Sequence, residues 1–166
     1  MHTCDILVVG AGPAGSSAAL EAAKNGADVL LVEKKKNVGE PVQCAEYIPK
    51  LLLNEVNISQ KSVVQDICGL KTYLLNDECR ESRLPGCMLN RSVFDKELAL
   101  RAEDAGATVC VNTTCISNNK EKTLLNKDGR KTDVISKIVI GCDGPKSTVG
   151  TWINTVNEEF VVGMQY

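Results

Sequence analysis

CDILVVGAGPAGSSAALEAAKNGADVLLVE, residues Cys4 to Glu33, decides the fold of this 166-residue chain. Ile6-Leu7-Val8-Val9 is an apolar run of strand length, and Gly10-Ala11-Gly12-Pro13-Ala14-Gly15 turns tightly into a helix of small residues. A second apolar run, Val29 to Val32, ends in Glu33. Strand, glycine turn, helix and strand in that order make the opening βαβ unit of a dinucleotide-binding sheet. Each glycine has a mechanical duty in it. Gly10 permits the turn out of the strand, Gly12 lets a pyrophosphate approach bare backbone, and Gly15 allows close packing of helix on sheet. The unpaired N–H groups at the helix start face the phosphates, with the helix dipole behind them. Glu33 offers a carboxylate to the hydroxyls of an adenosine ribose, which argues against a cofactor carrying a 2′-phosphate. Lys34, Lys35 and Lys36 beside it read as a solvated charge run.

Working outward, composition narrows the class. The length suffices for one domain with a real core. Nineteen basic against 21 acidic residues leave a net charge of −2, so there is no basic field for nucleic acid and little pull toward an anionic surface. Few aromatics within a hydrophobic content of 43% suit an aliphatic α/β core. The first strand starts so soon after Met1 that no signal peptide fits ahead of it. No apolar run reaches the ~18 residues of a membrane span. The eight cysteines lack any CxxC pair, which favours buried, reduced thiols in a cytoplasmic protein over disulfides. With His2 the single histidine, neither a zinc site nor a histidine-based triad is expected, and no metal is assigned.

Along the chain, a helix is expected from about Ala14 to Asn25, with Ala18, Ala19, Ala22 and Ala23 as its slim apolar face and Asn25-Gly26 as its stop. Lys34 to Pro49 is too long for a simple connection and rich in breakers, as functional loops are. Leu51 to Ser62 reads as a short helix and a loop. Val63 to Leu89 reads as β-structure: Cys68–Leu75 the clearest strand, Glu78–Pro85 a polar connection, Cys87-Met88-Leu89 a returning strand. Ser92 is the expected N-cap of the next helix, with Asp95 completing a variant capping box and Phe94, Leu98 and Ala102 on its apolar face. Thr108–Val111 should be a parallel strand. Cys115–Ser117 and Thr123–Asn126 should be β pieces, turned by Lys127-Asp128-Gly129. Lys137–Gly141 should be a fully buried strand running into Cys142-Asp143-Gly144, and Phe160 to Tyr166 should begin another strand. The fold class is therefore α/β: a Rossmann-like domain with a mainly parallel sheet and a small antiparallel β insertion. Regular βα units would continue in a simple nicotinamide dehydrogenase; the interruption points to a flavoprotein.

At these residues a resemblance enters. GAGPAG with Glu33, Arg91-Ser92-Val93-Phe94-Asp95 and Gly141-Cys142-Asp143-Gly144-Pro145-Lys146-Ser147 resemble the p-hydroxybenzoate hydroxylase-type FAD superfamily. Within it, VGEPVQCAEYI at 38–48 is most similar to the archaeal geranylgeranyl reductases (digeranylgeranylglycerophospholipid reductases). The closing Gln165-Tyr166 resembles that family's entry into its substrate domain. The likeness runs over the whole chain but matches only about the first 40% of a full member. It implies a domain division of 1–158, an FAD-binding domain lacking its third cofactor segment (Gly-Asp-Ala), and 159–166, the first strand of a substrate domain.

The resemblance also implies FADH₂-dependent saturation of isoprenoid double bonds in archaeal membrane lipids. The partners implied are a prenylated lipid substrate and an electron donor, either a ferredoxin or a nicotinamide, with the protein cytoplasmic or peripheral to the membrane. By position, Ala14 and Gly15 would meet the pyrophosphate and Glu33 the adenosine ribose, with Gly10 and Gly12 also among the cofactor-binding residues. Cys44, Ala45 and position 47 would lie along the flavin, and Arg91 would pair with a cofactor phosphate. Backbone near Cys115 would flank the adenine, and Asp143 would sit near the ribose and phosphates. Tyr47 departs from the family, which usually has glycine there, so either the loop shifts or the ring points away. Cys44 is the candidate for a substrate-side role; no proton donor is identified. Two rival functions stay open: a flavin monooxygenase of the same superfamily, and a non-catalytic nucleotide-binding fragment.

Overall fold

β-Branched and leucine-rich runs on either side of a glycine turn pair into a parallel sheet whose two faces both need covering. The computed structural model describes residues 1–53, 59–119 and 121–164. They form two compact units, residues 1–40 with 95–166, and residues 41–94. In chain order the elements are β1 (His2–Val9), α1 (Pro13–Lys24), β2 (Val29–Val32), β3 (Tyr47–Pro49), α2 (Lys50–Leu53), a 3₁₀ turn (Gln60–Ser62), β4 (Val63–Ile67), β5 (Leu70–Tyr73), β6 (Cys79–Ser82) and β7 (Gly86–Leu89). They continue with α3 (Arg91–Asp104), β8 (Thr108–Cys110), β9 (Thr113–Asn118), β10 (Thr123–Lys127), β11 (Arg130–Gly141) and α4 (Thr148–Trp152).

The first unit holds a six-stranded sheet in the order β8-β2-β1-β11-β10-β9. The pairs β8–β2, β2–β1 and β1–β11 are parallel, and β11–β10 and β10–β9 antiparallel. On one face Val8, Val29 and Leu31 pack with Ala19 and Ala23 of α1 and Ala102 of α3. Small residues on the helices let the backbones come close, as the alanine-rich sequence implies. On the other face Leu7, Val9, Leu30 and Val32 meet Cys115, Leu125 and Val149, with Trp152 of α4 packed against them. Asn25 caps α1, and Gly26 follows at φ +84°, the stop read from the sequence.

The hairpin region differs from its reading. The β pieces at 113–118 and 123–127 pair with one another, and Asp128-Gly129 joins β10 to β11. Both turn residues have positive φ, 51° and 83°, the two-residue hairpin turn whose twist matches its strands. β11 is thus one 12-residue strand that leaves the hairpin antiparallel to β10 and ends parallel to β1. Nor is Lys137–Gly141 fully buried. Ile138 is 54% exposed: α1 and α3 cover β1 and β2, Ile140 joins their apolar cluster only at its margin, and Ile138 not at all. The strand expected over Phe160–Tyr166 does not form over residues 160–164, which have no ladder partner; Gln165 and Tyr166 lie outside the described residues.

In the second unit, β3, β7 and β4 form an antiparallel sheet, and β5 and β6 a separate two-stranded ribbon. The polar stretch taken as a connection, Glu78–Pro85, contains β6. It escapes a hydrophobicity reading because both ribbon strands are exposed throughout. A backbone ladder pairs them, and on it Lys71 stands opposite Glu81 in an exposed 2.7 Å ion pair. The expected helix and loop at Leu51–Ser62 survive as α2 and the 3₁₀ turn, with residues 54–58 outside the described residues. Asn90, not Ser92, is the N-cap that begins α3. Its Oδ1 accepts from the Val93 N–H at 3.3 Å and from Ser92 Oγ at 2.7 Å, leaving Ser92 inside the first turn. Leu98, Ala99 and Ala102 are buried along α3.

All eight cysteines are free thiols. The reading of them as buried holds for Cys4, Cys87 and Cys115. Cys44, Cys68 and Cys79 are exposed, in the loop before β3, in the connection between β4 and β5 and in β6.

Candidate functional site

The carboxyl ends of β1, β2 and β11 come together in the first unit, the place where open parallel sheets take their ligands. Gly10 leaves β1 at φ +100°, its N–H bonded to the Val32 carbonyl at 2.8 Å. A Cβ on it would lie 2.3 Å from the Cys142 carbonyl oxygen, and one on Gly15 would lie 1.8 Å from the Gly10 oxygen. The glycine turn, the start of α1 and the end of β11 therefore interlock through backbone alone. Gly12 differs. It caps α1 with ordinary backbone angles, and a Cβ there would meet nothing within 4 Å. Close packing thus requires Gly10 and Gly15, whereas Gly12 borders open space at the helix start. That is the bare approach a pyrophosphate needs, and no side chain caps α1 or places an acid in its first turn. Ala14, also in this first turn, is exposed.

Glu33 is buried, and both its carboxylate oxygens accept backbone N–H groups, Oε2 from Ala11 at 2.8 Å and Oε1 from Lys35 at 2.9 Å. The acid at the end of β2 so clamps the glycine turn. Each oxygen keeps lone-pair capacity for a ribose hydroxyl. Ser16 was not picked out from the sequence, yet it completes the clamp: fully buried, its Oγ donates to the Ala11 carbonyl at 3.1 Å. Its only sequence signal is a hydroxyl where the apolar face of α1 should run.

Asp143 stands at the end of β11 as expected, but its carboxylate serves the protein. It accepts from Ser147 Oγ at 2.5 Å and from the N–H groups of Thr148 at 2.6 Å and Val149 at 3.2 Å. It thereby fixes the start of α4 and the loop between. Cys115 lies near this carboxylate. Burial, and secondarily the Asp143 charge, push its thiol up to about 12. The same two causes raise Cys142, so both sulfurs stay protonated and unreactive. Gly10, Gly12, Ala14, Gly15, Glu33 and Asp143 thus gather at the carboxyl ends of β1, β2 and β11, and Cys115 of β9 packs in the apolar cluster with Val9, Val32 and Val149.

Cys44, Ala45, Tyr47 and Arg91 belong to the second unit. Cys44 and Ala45 are exposed in the loop before β3. The Cys44 sulfur accepts from the Glu46 N–H at 3.4 Å. The Tyr47 ring turns onto β7, its hydroxyl donating to the Leu84 carbonyl at 3.1 Å. The Arg91 guanidinium lies 5.9 Å from the centre of the Phe94 ring. Among the described residues no group of three or more His, Cys, Asp or Glu could hold a metal ion, and no helix is long and apolar enough to cross a membrane.

Known proteins share this arrangement. Digeranylgeranylglycerophospholipid reductase 2 of Methanosphaera stadtmanae is 38% identical over 96% of the chain, which spans 44% of that protein. A protein of Methanosarcina barkeri known as the uncharacterized protein in the nifH2 5′ region is 38% identical over 87% of the chain and 84% of its own length. The crystal structure of a geranylgeranyl bacteriochlorophyll reductase-like protein from Thermoplasma acidophilum superposes with a TM-score of 0.82 at 34% identity, covering 92% of this chain and 42% of that one. The chain thus spans about two-fifths of the length of the curated reductase and of the solved structure. The family model for FAD dependent oxidoreductases matches residues 5–144, from the first strand through the Asp143 loop. The chain therefore belongs to the FAD dependent oxidoreductase family, and the open backbone at Gly12 with the Glu33 carboxylate at the sheet's carboxyl end fits the FAD that gives that family its name.

Proposed function

We propose that this chain is the FAD-binding part of a reductase that saturates isoprenoid double bonds of glycerophospholipids. The identity of 38% to a digeranylgeranylglycerophospholipid reductase over 96% of the chain carries this reading. Residues 1–158 form the cofactor-binding part, and 159–166 lead toward a substrate domain. The N–H groups of Ala14 and Gly15 hold the pyrophosphate beside Gly10 and Gly12, and Glu33 takes the adenosine ribose. Backbone beside Cys115 flanks the adenine, and the Asp143 loop borders the ribose and phosphates. Cys44, Ala45 and Tyr47 are assigned to the flavin side and Arg91 to a cofactor phosphate. Bound and reduced, FAD supplies the hydride for an isoprenoid C=C, a proton reaching the neighbouring carbon. The substrate is a prenylated lipid at the membrane surface, reached from the cytoplasm, and the electrons come from a ferredoxin or a nicotinamide.

The test has two stages. The purified chain is expected to take up FAD at close to one per protein; colourless protein that takes up none overturns the cofactor assignment. A chain of the relatives' full length, reduced and given digeranylgeranylglycerophospholipid, is expected to add two hydrogens per double bond by mass spectrometry. Consumption of oxygen with NADPH and no saturation would overturn it in favour of a flavin monooxygenase. A second reading, a non-catalytic nucleotide-binding module, draws on the Methanosarcina barkeri relative, 84% of whose length this chain covers. FAD uptake with no saturation by the longer chain would select it.

A further inference from the structure

The second unit contains an interlock that the first does not share. Tyr47 opposes Met88 across β3 and β7, and Gly86 lies two residues further along β7, on the same face. An aromatic ring reaches such a diagonal neighbour, and here it does so because Gly86 has no side chain. A Cβ on Gly86 would sit 2.5 Å from Tyr47 Cε2 and 2.9 Å from Cζ. Beyond Gly86, the Tyr47 hydroxyl donates to the Leu84 carbonyl at 3.1 Å. The ring is thus fixed at both its face and its tip.

The residues immediately before Tyr47 are held in sequence. The Leu89 N–H donates to the Glu46 carbonyl at 2.8 Å, and the Glu46 N–H donates to Cys44 Sγ at 3.4 Å. Glu46 adopts φ 60°, a left-handed conformation that a residue with a side chain keeps only when its surroundings insist. The seated ring next door is that insistence.

We propose that Tyr47 is a positioning residue whose ring, seated over Gly86, holds the Cys44–Glu46 loop in a single conformation. What the loop is for rests on the assignment of Cys44 and Ala45 to the flavin side. The hold itself does not, so it is tested without cofactor.

Residue-resolved amide hydrogen exchange on the whole chain gives the measurement. Glu46 and Leu89 report the loop. Asn90, whose N–H donates to the Ser62 carbonyl at 2.8 Å in the same unit, reports general loosening. In Tyr47→Phe the Glu46 and Leu89 amides are expected to exchange about fivefold faster, the ratio one hydrogen bond of ordinary net strength sets. Tyr47→Ala should exceed this, with Asn90 unchanged in both. Full protection in Tyr47→Phe with loss in Tyr47→Ala also supports the proposal and assigns the hold to the ring. Unchanged Glu46 and Leu89 exchange in Tyr47→Ala overturns it, as does a rise shared equally by Asn90 in Tyr47→Phe. Where Tyr47→Ala fails to fold, Tyr47→Leu takes its place, and unchanged Glu46 and Leu89 exchange in that variant overturns it. FAD binding, measured separately, leaves each of these outcomes standing.

Discussion

The Glu33 carboxylate clamps the glycine turn, and the proposed ribose contact would use the same two oxygens. In Glu33→Ala the buried Ala11 N–H and the Lys35 N–H lose their acceptors, at a cost of about 2 kcal/mol in the urea unfolding free energy. Glu33→Gln keeps one oxygen, so roughly half that loss is expected, and FAD uptake should fall in both variants. Gly12 and Gly15 separate fold from ligand more sharply. Gly15→Ala drives a Cβ to 1.8 Å from a backbone oxygen and should destabilise by about 3 kcal/mol or more. Gly12→Ala meets open space, so stability should drop by less than about 1 kcal/mol, while flavin absorbance in the purified protein is lost. Equal destabilisation by the two substitutions would remove Gly12 from the site. At this scale the glycines and Glu33 were legible because their spacing encodes a turn and a strand end. Ser16 and the self-directed carboxylate of Asp143 were not, because a hydrogen-bond partner five residues away, or a choice between ligand and protein donors, has no one-letter signature.

Elements were legible where periodicity or turn chemistry was strong, as in α1, β2, β8 and the Asn25-Gly26 stop. They were missed where no residue is buried, as in β6, whose exposed residues pair with β5 along a backbone ladder. The cap of α3 shows a subtler limit. Asn90 and Ser92 are both good caps, and only the backbone decides which one sits outside the first turn. Thermal unfolding checks it: Asn90→Ala should cost about 1 kcal/mol, and Ser92→Ala distinctly less. Of the long β11 only its end, Lys137–Gly141, reads as strand, because its antiparallel start is polar, although one unbroken backbone serves both neighbours.

For the molecule as a whole, three thiols in the first unit, Cys4, Cys115 and Cys142, are raised chiefly by burial. Folding therefore favours their protonated form. The stability they contribute is complete below the unfolded thiol value near 9.0 and is lost as pH rises toward about 12, the folded value for Cys115. Urea unfolding between pH 8 and 11 should show stability falling with pH, and Cys115→Ala should flatten that fall; an unchanged slope would remove Cys115 from the account. The sequence by itself determined the βαβ unit, because that depends on residue spacing along a continuous stretch, and its separate motifs carried the resemblance to the FAD dependent oxidoreductases to which the chain belongs. Only the tertiary structure decided that Asp143 spends its carboxylate on α4, that Ile138 lies bare, and that Tyr47 finds room over Gly86. Each depends on which atoms distant segments bring within a few ångströms, and spacing along the chain carries no record of that.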